Sequence, residues 1–244
     1  MRRLDAACTA PYINHTNWSV CLTLMTDMQE KIPSNASFPL NPDKDGRQIR
    51  GDRTRQALVE SAFEEIYMHG FRAASLNDII KKAGCTKGSL YHHFADKHAL
   101  GLAATAEFMG AHIKELWIDP LAETADPLTS IRTIIGHYAF GDVGHDPRLG
   151  CPFQNLTQEM AGIDEDFQNY FKNLFEAWRD ALVDALKRGE RNGTVRKGID
   201  AESVATLIIA SHQGVASMIK ATQDEGVGHT ATSAFFDYLD SLRP

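Results

Sequence analysis

The chain has 244 residues, carries 25 Lys and Arg against 32 Asp and Glu for a net charge of −7, and is 43% hydrophobic. That length buries a sizeable core in one or two domains, and no stretch approaches the ~20 consecutive apolar residues that a membrane-spanning helix requires. Four cysteines, at 8, 21, 85 and 151, show no CxxC spacing, and Arg2 and Arg3 lead into no apolar run, so no secretory signal is indicated and the expected compartment is the reducing cytoplasm.

Residues 1–46 carry Pro11, Pro33, Pro39 and Pro42 among several Asn and Ser with no sustained periodicity, the pattern of a disordered extension. Asp43 and Asp45 oppose its use as an arm in a DNA groove, and Met25 and Met28 are candidate translation starts. From Arg53 to His69 the pattern changes: Ala57, Leu58, Ala62, Phe63, Ile66 and Tyr67 recur at three- and four-residue intervals, one apolar stripe of an amphipathic helix that Gly70 stops. Ser75 with Asp78 resembles a capping box and opens a second helix carrying Leu76, Ile79, Ile80 and Ala83, which ends at Gly84. Thr86 caps a third, Lys87 to Phe94, and the Ala83-Gly84-Cys85 turn between the two has the length of a helix-turn-helix.

The third helix offers Thr86, Lys87, Gly88, Ser89, Tyr91, His92 and His93 outward, while Leu90 and Phe94, four apart, anchor it inward. Gly88 costs the helix about 1 kcal/mol against Ala, a cost that makes sense where backbone must approach DNA closely. Between Arg47 and Leu100 nine Lys and Arg face six Asp and Glu, a net +3 that leaves −10 for the rest of the chain. Phosphate attraction is therefore concentrated in this segment. Arg53, Lys87 and Lys97 each lie beside a helix terminus and are read as phosphate contacts; Glu64 and Glu65 are read as solvating a helix face.

The segment from Arg53 to Leu100, with its ASLNDIIKKAGCTKGSLYHHF core and the following DKHAL, resembles the TetR-type transcriptional regulators. Gly84, Gly88, Tyr91, Phe94 and Lys97 fall at that family's spacing. The resemblance implies that Thr86, Lys87, Ser89, Tyr91 and His92 contact double-stranded DNA, with Lys97 at the start of a fourth helix reaching a phosphate. Cys85 stands where an aliphatic residue is expected and reads as a small packing residue.

Beyond Leu100 the period stays helical. Asp96 caps a long helix through Leu102, Thr105, Ala106, Met109, Ile113, Leu116 and Trp117, with Pro120 marking the region of its end. Asp126-Pro127 starts the next, with Ile131, Ile134, Ile135, Tyr138 and Ala139; 141–150 reads as a loop. A short helix spans Pro152 to Ala161, and Asp164 caps a long one bearing Phe167, Phe171, Leu174, Trp178, Leu182 and Leu186 that Asn192-Gly193 breaks. The last two run from Ala201 to Thr222 and from Thr230 to Leu242. No strand period occurs, so the expected fold is all-α: an extension (1–46), a three-helix DNA-binding domain (47–98) and a helical effector-binding and dimerisation domain (99–244).

Ala210, Ser211, Gly214 and Ser217 keep one face of the penultimate helix small, while Val204, Leu207, Ile208, Val215 and Met218 supply apolar area. Packing within the chain accounts for this pattern; the family resemblance implies instead a four-helix bundle with a second copy, to which Phe235, Phe236, Tyr238 and Leu239 contribute. A homodimer fits a palindromic operator, with half-sites about one helical turn, 34–36 Å, apart.

An effector is expected between helices of the body, where His137, Tyr138, Phe140, Cys151, Gln154, Asn155, Phe175, Trp178, His212 and Gln213 are the polar and aromatic candidates. Gln154 and Asn155, at the start of a helix, are the specificity donors. Cys151 sits at that helix's N-terminus, where the macrodipole and nearby Arg148 would lower a thiol pKa. Its GC-x-x-x-N-L-x-x-E setting resembles a branch of the family whose cysteine answers oxidants or electrophiles. An inert cysteine fits the same place, and a bond between two Cys151 of a dimer stays open.

Two other classes are weaker. Cys151, His137 and Asp142 or His145 match no catalytic spacing, so an enzyme is not expected. A DNA-compacting protein without effector would bind random and operator DNA alike, whereas a repressor prefers its site by about 10³ or more. No cofactor pattern is present; a metal site is not expected either, because His92 and His93 are adjacent and do not share a helix face.

Overall fold

The structure, a computed structural model, describes residues 46–140 and 146–244. Helices follow one another with no strand among the described residues: α1 Gly46–His69, α2 Leu76–Lys82, α3 Lys87–His93, α4 over 97–123, α5 Pro127–Phe140, α6 Pro152–Met160, α7 Glu165–Asn192, α8 Ala201–Thr222 and α9 Glu225–Ser241. The expected extension, Cys8, Cys21 and the loop residues 141–145 lie outside the described residues.

Local sequence signals set most boundaries. Ser75, Thr86, Asp96 and Asp164 each accept a backbone N–H from the first turn of α2, α3, α4 and α7, satisfying a donor that the helix start leaves orphaned. Gly193 ends α7 in the left-handed region at φ 77°. Two starts come earlier than expected. α1 begins at Gly46 rather than Arg53, and Gly51 inside it lies near α3, at a distance where an added Cβ would make only ordinary contact, 3.8 Å from His93 Cε1. α9 begins at Glu225 rather than Thr230, capped by Asp224, which accepts from the Gly226 N–H at 2.8 Å.

Glu65 departs from its expected solvated role. It is buried, accepts the Ser75 N–H at 3.4 Å and takes the Lys82 ammonium at 3.1 Å. The carboxylate that completes the α2 cap therefore comes from α1 across the bundle, in place of the expected Asp78.

α4 joins the head to the body, and the boundary expected at 98/99 falls in its first turn. Besides Leu100 and Ala104 in its first turns, its buried residues Gly101, Thr105, Met109, Ile113, Trp117 and Leu121 recur every fourth position. An α-helix repeats about every 3.6 residues, so such a stripe would drift around a straight helix. Two π-helical segments, Thr105–Gly110 and Lys114–Ile118, widen the turn and hold the stripe in register. The helix ends at Glu123, three residues past Pro120, in the region expected. In the body, α7 packs on α8, α8 on α9 and α9 on α5. The core holds Trp117 and Trp178, fully buried with ring centroids 5.0 Å apart.

Candidate functional site

The outer surface of α3 is polar and open. Thr86, Lys87, Gly88, Tyr91 and His92 are exposed, Tyr91 at 57%, while Leu90 is buried against the head. Thr86 Oγ1 accepts from the Ser89 N–H at 3.2 Å and bonds the Ser89 hydroxyl at 3.1 Å, so both hydroxyls are fixed at the helix start. Arg53 is exposed on α1. Lys97 is half-buried: its ammonium donates to the Arg72 carbonyl at 3.1 Å and lies 5.0 Å from the Phe71 ring centroid, and burial lowers its pKa against the opposing pull of Glu159. An ammonium has three donors, so this anchoring aims Lys97 without exhausting it.

Further contacts tie the head to α4, to α6 and to the segment before α6. Glu159 on α6 accepts the Phe71 and Arg72 N–H groups at 2.7 and 2.8 Å, in the α1–α2 turn. Arg55 on α1 pairs with Glu107 in the first π segment of α4, at 3.1 Å through Nη1 and Oε2, which holds the Arg55 pKa above its usual value. Tyr67, buried near the end of α1, donates its hydroxyl to the Gly150 carbonyl at 2.8 Å. His98 on α4 also pairs with Asp164 at 2.9 Å, and with Asp166 their ligand atoms lie within 4.8 Å of one another. Because Asp164 is already the cap of α7, this cluster reads as a structural contact between α4 and the start of α7.

Behind Gly150 lies a cavity of about 50 Å³ between α5, α8, α9 and the 147–151 segment. Tyr138, Cys151, Ser211, His212 and Thr232 face it among Ile135, Val215 and Phe235. Gly150 adopts φ 76°, and a Cβ there would meet Lys220 Cδ at 2.9 Å; only glycine fits this turn without strain. His212 is buried, edge-on to Trp117, Trp178 and Tyr138, and loss of hydration, aided by the nearby His112, lowers its pKa to about 4. It is a neutral imidazole at physiological pH. The Tyr138 hydroxyl bonds His112 Nε2, and burial raises the phenol far above its usual range. A separate open cleft of about 450 Å³ lies between α6, α7 and α8, bordered by Gln154, Lys172, Phe175, Arg179 and Gln213.

The comparisons with known proteins agree with this geometry. Residues 58–104 match the family model described as bacterial regulatory proteins, tetR family, and 127–235 match the tetracyclin repressor-like C-terminal domain. The chain belongs to the TetR family. An uncharacterised HTH-type transcriptional regulator of Lactococcus lactis subsp. lactis is 26% identical over 174 residues, 71% of this chain and 87% of its own length. The HTH-type transcriptional repressor DhaR of Mycobacterium sp. (strain GP1) is 25% identical over 166 residues, covering 68% and 82%. A TetR-family regulator from Cytophaga hutchinsonii, solved as a crystal structure, superposes with a TM-score of 0.72 at 24% identity, covering 80% of this chain and 96% of that one.

As a TetR-family member the chain is a DNA-binding transcriptional regulator of repressor type, not an enzyme. Among the described residues no helix is long and apolar enough to cross a membrane. Several expected effector residues stand elsewhere. His137, adjacent to Tyr138 on α5, points to solvent because neighbouring positions diverge on a helix. Asn155 is consumed structurally: its amide donates to the Leu149 carbonyl at 2.8 Å and accepts from Lys220 at 2.9 Å, closing the Gly150 turn. Trp178 is wholly in the core, and Gln154 borders the open cleft, donating to Ser217 at 2.8 Å. The side chain of Phe140 lies outside the described residues.

Cys151 does face the cavity, but its chemistry reverses the expectation from the helix N-terminus. Burial pushes its thiol up, outweighing the N–H groups of Gln154 and Phe153, and Gln213 Nε2 approaches Sγ at 4.0 Å. Arg148 lends no free charge, because Asp146 holds it at 2.8 Å through both Nε and Nη2. Phe235 and Leu239, expected at a dimer interface, are buried within the chain, Phe236 lies under the Arg132 guanidinium at 4.2 Å, and Tyr238 is half-buried. Sequence reasoning gave Ser211 only a packing role and did not name Thr232. Small hydroxyl residues on helices carry no signal of facing a cavity until the helices are packed.

Proposed function

We propose that this TetR-family chain is a cytoplasmic homodimeric repressor that holds a palindromic operator and releases it when a small molecule fills the cavity behind Gly150. The observation that carries this reading is that one strip of chain, Gly150–Cys151, lines the cavity and is bonded through Tyr67 to the DNA-reading head. In this reading residues 47–98 bind DNA through Arg53, Thr86, Lys87, Gly88, Ser89, Tyr91, His92 and Lys97, and 99–244 bind effector and partner. Leu207, Ala210 and Met218, exposed along α8, supply an apolar stripe for the second copy. Release requires that the effector bind the DNA-incompetent arrangement more tightly than the competent one.

A second reading, covalent modification of Cys151, is favoured by the place of that residue in the cavity wall. The raised thiol pKa restricts it to small uncharged electrophiles that enter the cavity and react there. With an α,β-unsaturated ketone the S–C bond forms as the C=C π bond breaks, and the thiol proton ends on the α-carbon.

The test is operator binding to the chain's own upstream DNA, with random DNA as competitor, for wild type and Cys151→Ser before and after treatment with methyl vinyl ketone. Release in wild type alone supports modification, and release in both supports reversible occupancy. Equal affinity for random and upstream DNA would make the protein a non-specific DNA binder and end the repressor reading.

A further inference from the structure

The cavity has a recognisable chemical character, and the inference drawn from it rests on the effector reading above. Thr232 on α9 is 1% exposed, lines the cavity, and its Oγ1 has no hydrogen-bond partner. A buried hydroxyl left unpaired is unfavourable, and this one can donate one hydrogen bond and accept others. The neighbouring Tyr138 hydroxyl is already engaged by His112. Among the described residues the lining contains no Lys, Arg, Asp or Glu.

We propose that the cavity takes a small uncharged oxygen compound, a ketone, aldehyde or alcohol of roughly four to six non-hydrogen atoms, whose oxygen pairs with the Thr232 hydroxyl. The size follows from the volume: 50 Å³ of water-sized space holds about four waters. The exclusion of carboxylates and amines follows from the lining. A charged ligand would be stripped of water with no counter-ion to meet it, and His212, with its pKa near 4, offers an imidazole rather than an imidazolium. Ile135, Val215 and Phe235 supply the apolar wall for the carbon chain.

The experiment is calorimetric titration of the full-length protein with 2-butanone, with butyrate of nearly equal size, and with the much longer 2-octanone, for wild type and Thr232→Val. Operator binding is followed on the same preparations. Expected are binding of 2-butanone with no pH dependence between pH 6 and 8, no binding of butyrate, and strong weakening for 2-octanone. Thr232→Val is near-isosteric and removes an unpaired hydroxyl, so it should melt no lower than wild type and bind 2-butanone about fivefold more weakly. Ala216→Phe, which fills the cavity from α8, should abolish binding while the protein still folds and binds operator.

Butyrate binding as tightly as 2-butanone, tighter binding of either as the pH falls, 2-octanone binding undiminished, or an unchanged affinity in Thr232→Val would overturn the proposal. Absence of 2-butanone binding in a preparation that binds operator specifically would overturn the ligand class and leave the repressor standing. Binding of 2-butanone without any effect on operator affinity would keep the ligand class and sink the response.

Discussion

Tyr67 and Gly150, 83 residues apart, are joined by a 2.8 Å hydrogen bond from the phenol hydroxyl to a buried backbone carbonyl. One partner belongs to the first helix of the helix-turn-helix head, the other to the wall of the cavity behind Gly150. Removing the donor leaves that carbonyl unsatisfied, so Tyr67→Phe should lower stability by about 1–3 kcal/mol, measurable by urea unfolding. In the folded protein the same change should shrink the difference in operator affinity with and without effector.

Glu159 makes the second link. Glu159→Ala deprives the Phe71 and Arg72 N–H groups of their acceptor and should cost about 2 kcal/mol, with proteolysis between α1 and α2 as a local readout. Glu159→Gln keeps one acceptor oxygen and should recover part of the loss.

On the reading helix, Lys87 and Tyr91 are exposed and support no packing. Lys87→Ala and Tyr91→Ala should weaken operator binding with unfolding midpoints unchanged. Because the proposed dimer carries two copies, Lys87→Ala should also reduce the slope of log affinity against log salt by about 2. An unchanged slope would remove Lys87 from the phosphate contacts.

His212 makes stability depend on pH. Its folded pKa of about 4 lies below the unfolded value of about 6.5, so between those values the unfolded chain binds more protons and stability rises with pH. The neutral imidazole's contribution is complete above about pH 6.5 and is lost as the pH falls towards 4, up to about 3 kcal/mol. His212→Asn should flatten that limb of the unfolding free energy against pH.

Asp164 acts in a lower window. Its carboxyl is held below its usual pKa first by the Phe167 N–H and then by His98, so its contribution is present above the unfolded value of about 3.9 and disappears as the pH falls through the lower folded value. Asp164→Ala should cost about 1 kcal/mol at neutral pH through the lost cap of α7. In strong acid the two proteins should unfold alike.

The sequence by itself determined the helical fold, the helix-turn-helix and most helix ends. Caps such as Ser75, Thr86 and Asp164 and the stop at Gly193 act within three or four residues, so their physics is written in adjacent letters. The exposed candidates on α3 were legible for the same reason. What tertiary structure decided was direction and hydration. Tyr138 faces the cavity while His137 faces solvent; Asn155 closes a turn, Trp178 fills the core, and Glu65 is buried to cap a helix from across the bundle. The thiol of Cys151 and the imidazole of His212 keep their neutral forms because packing removes the water that would solvate a charge. No local pattern encodes that desolvation, since it depends on helices brought together from more than 50 residues apart in the chain.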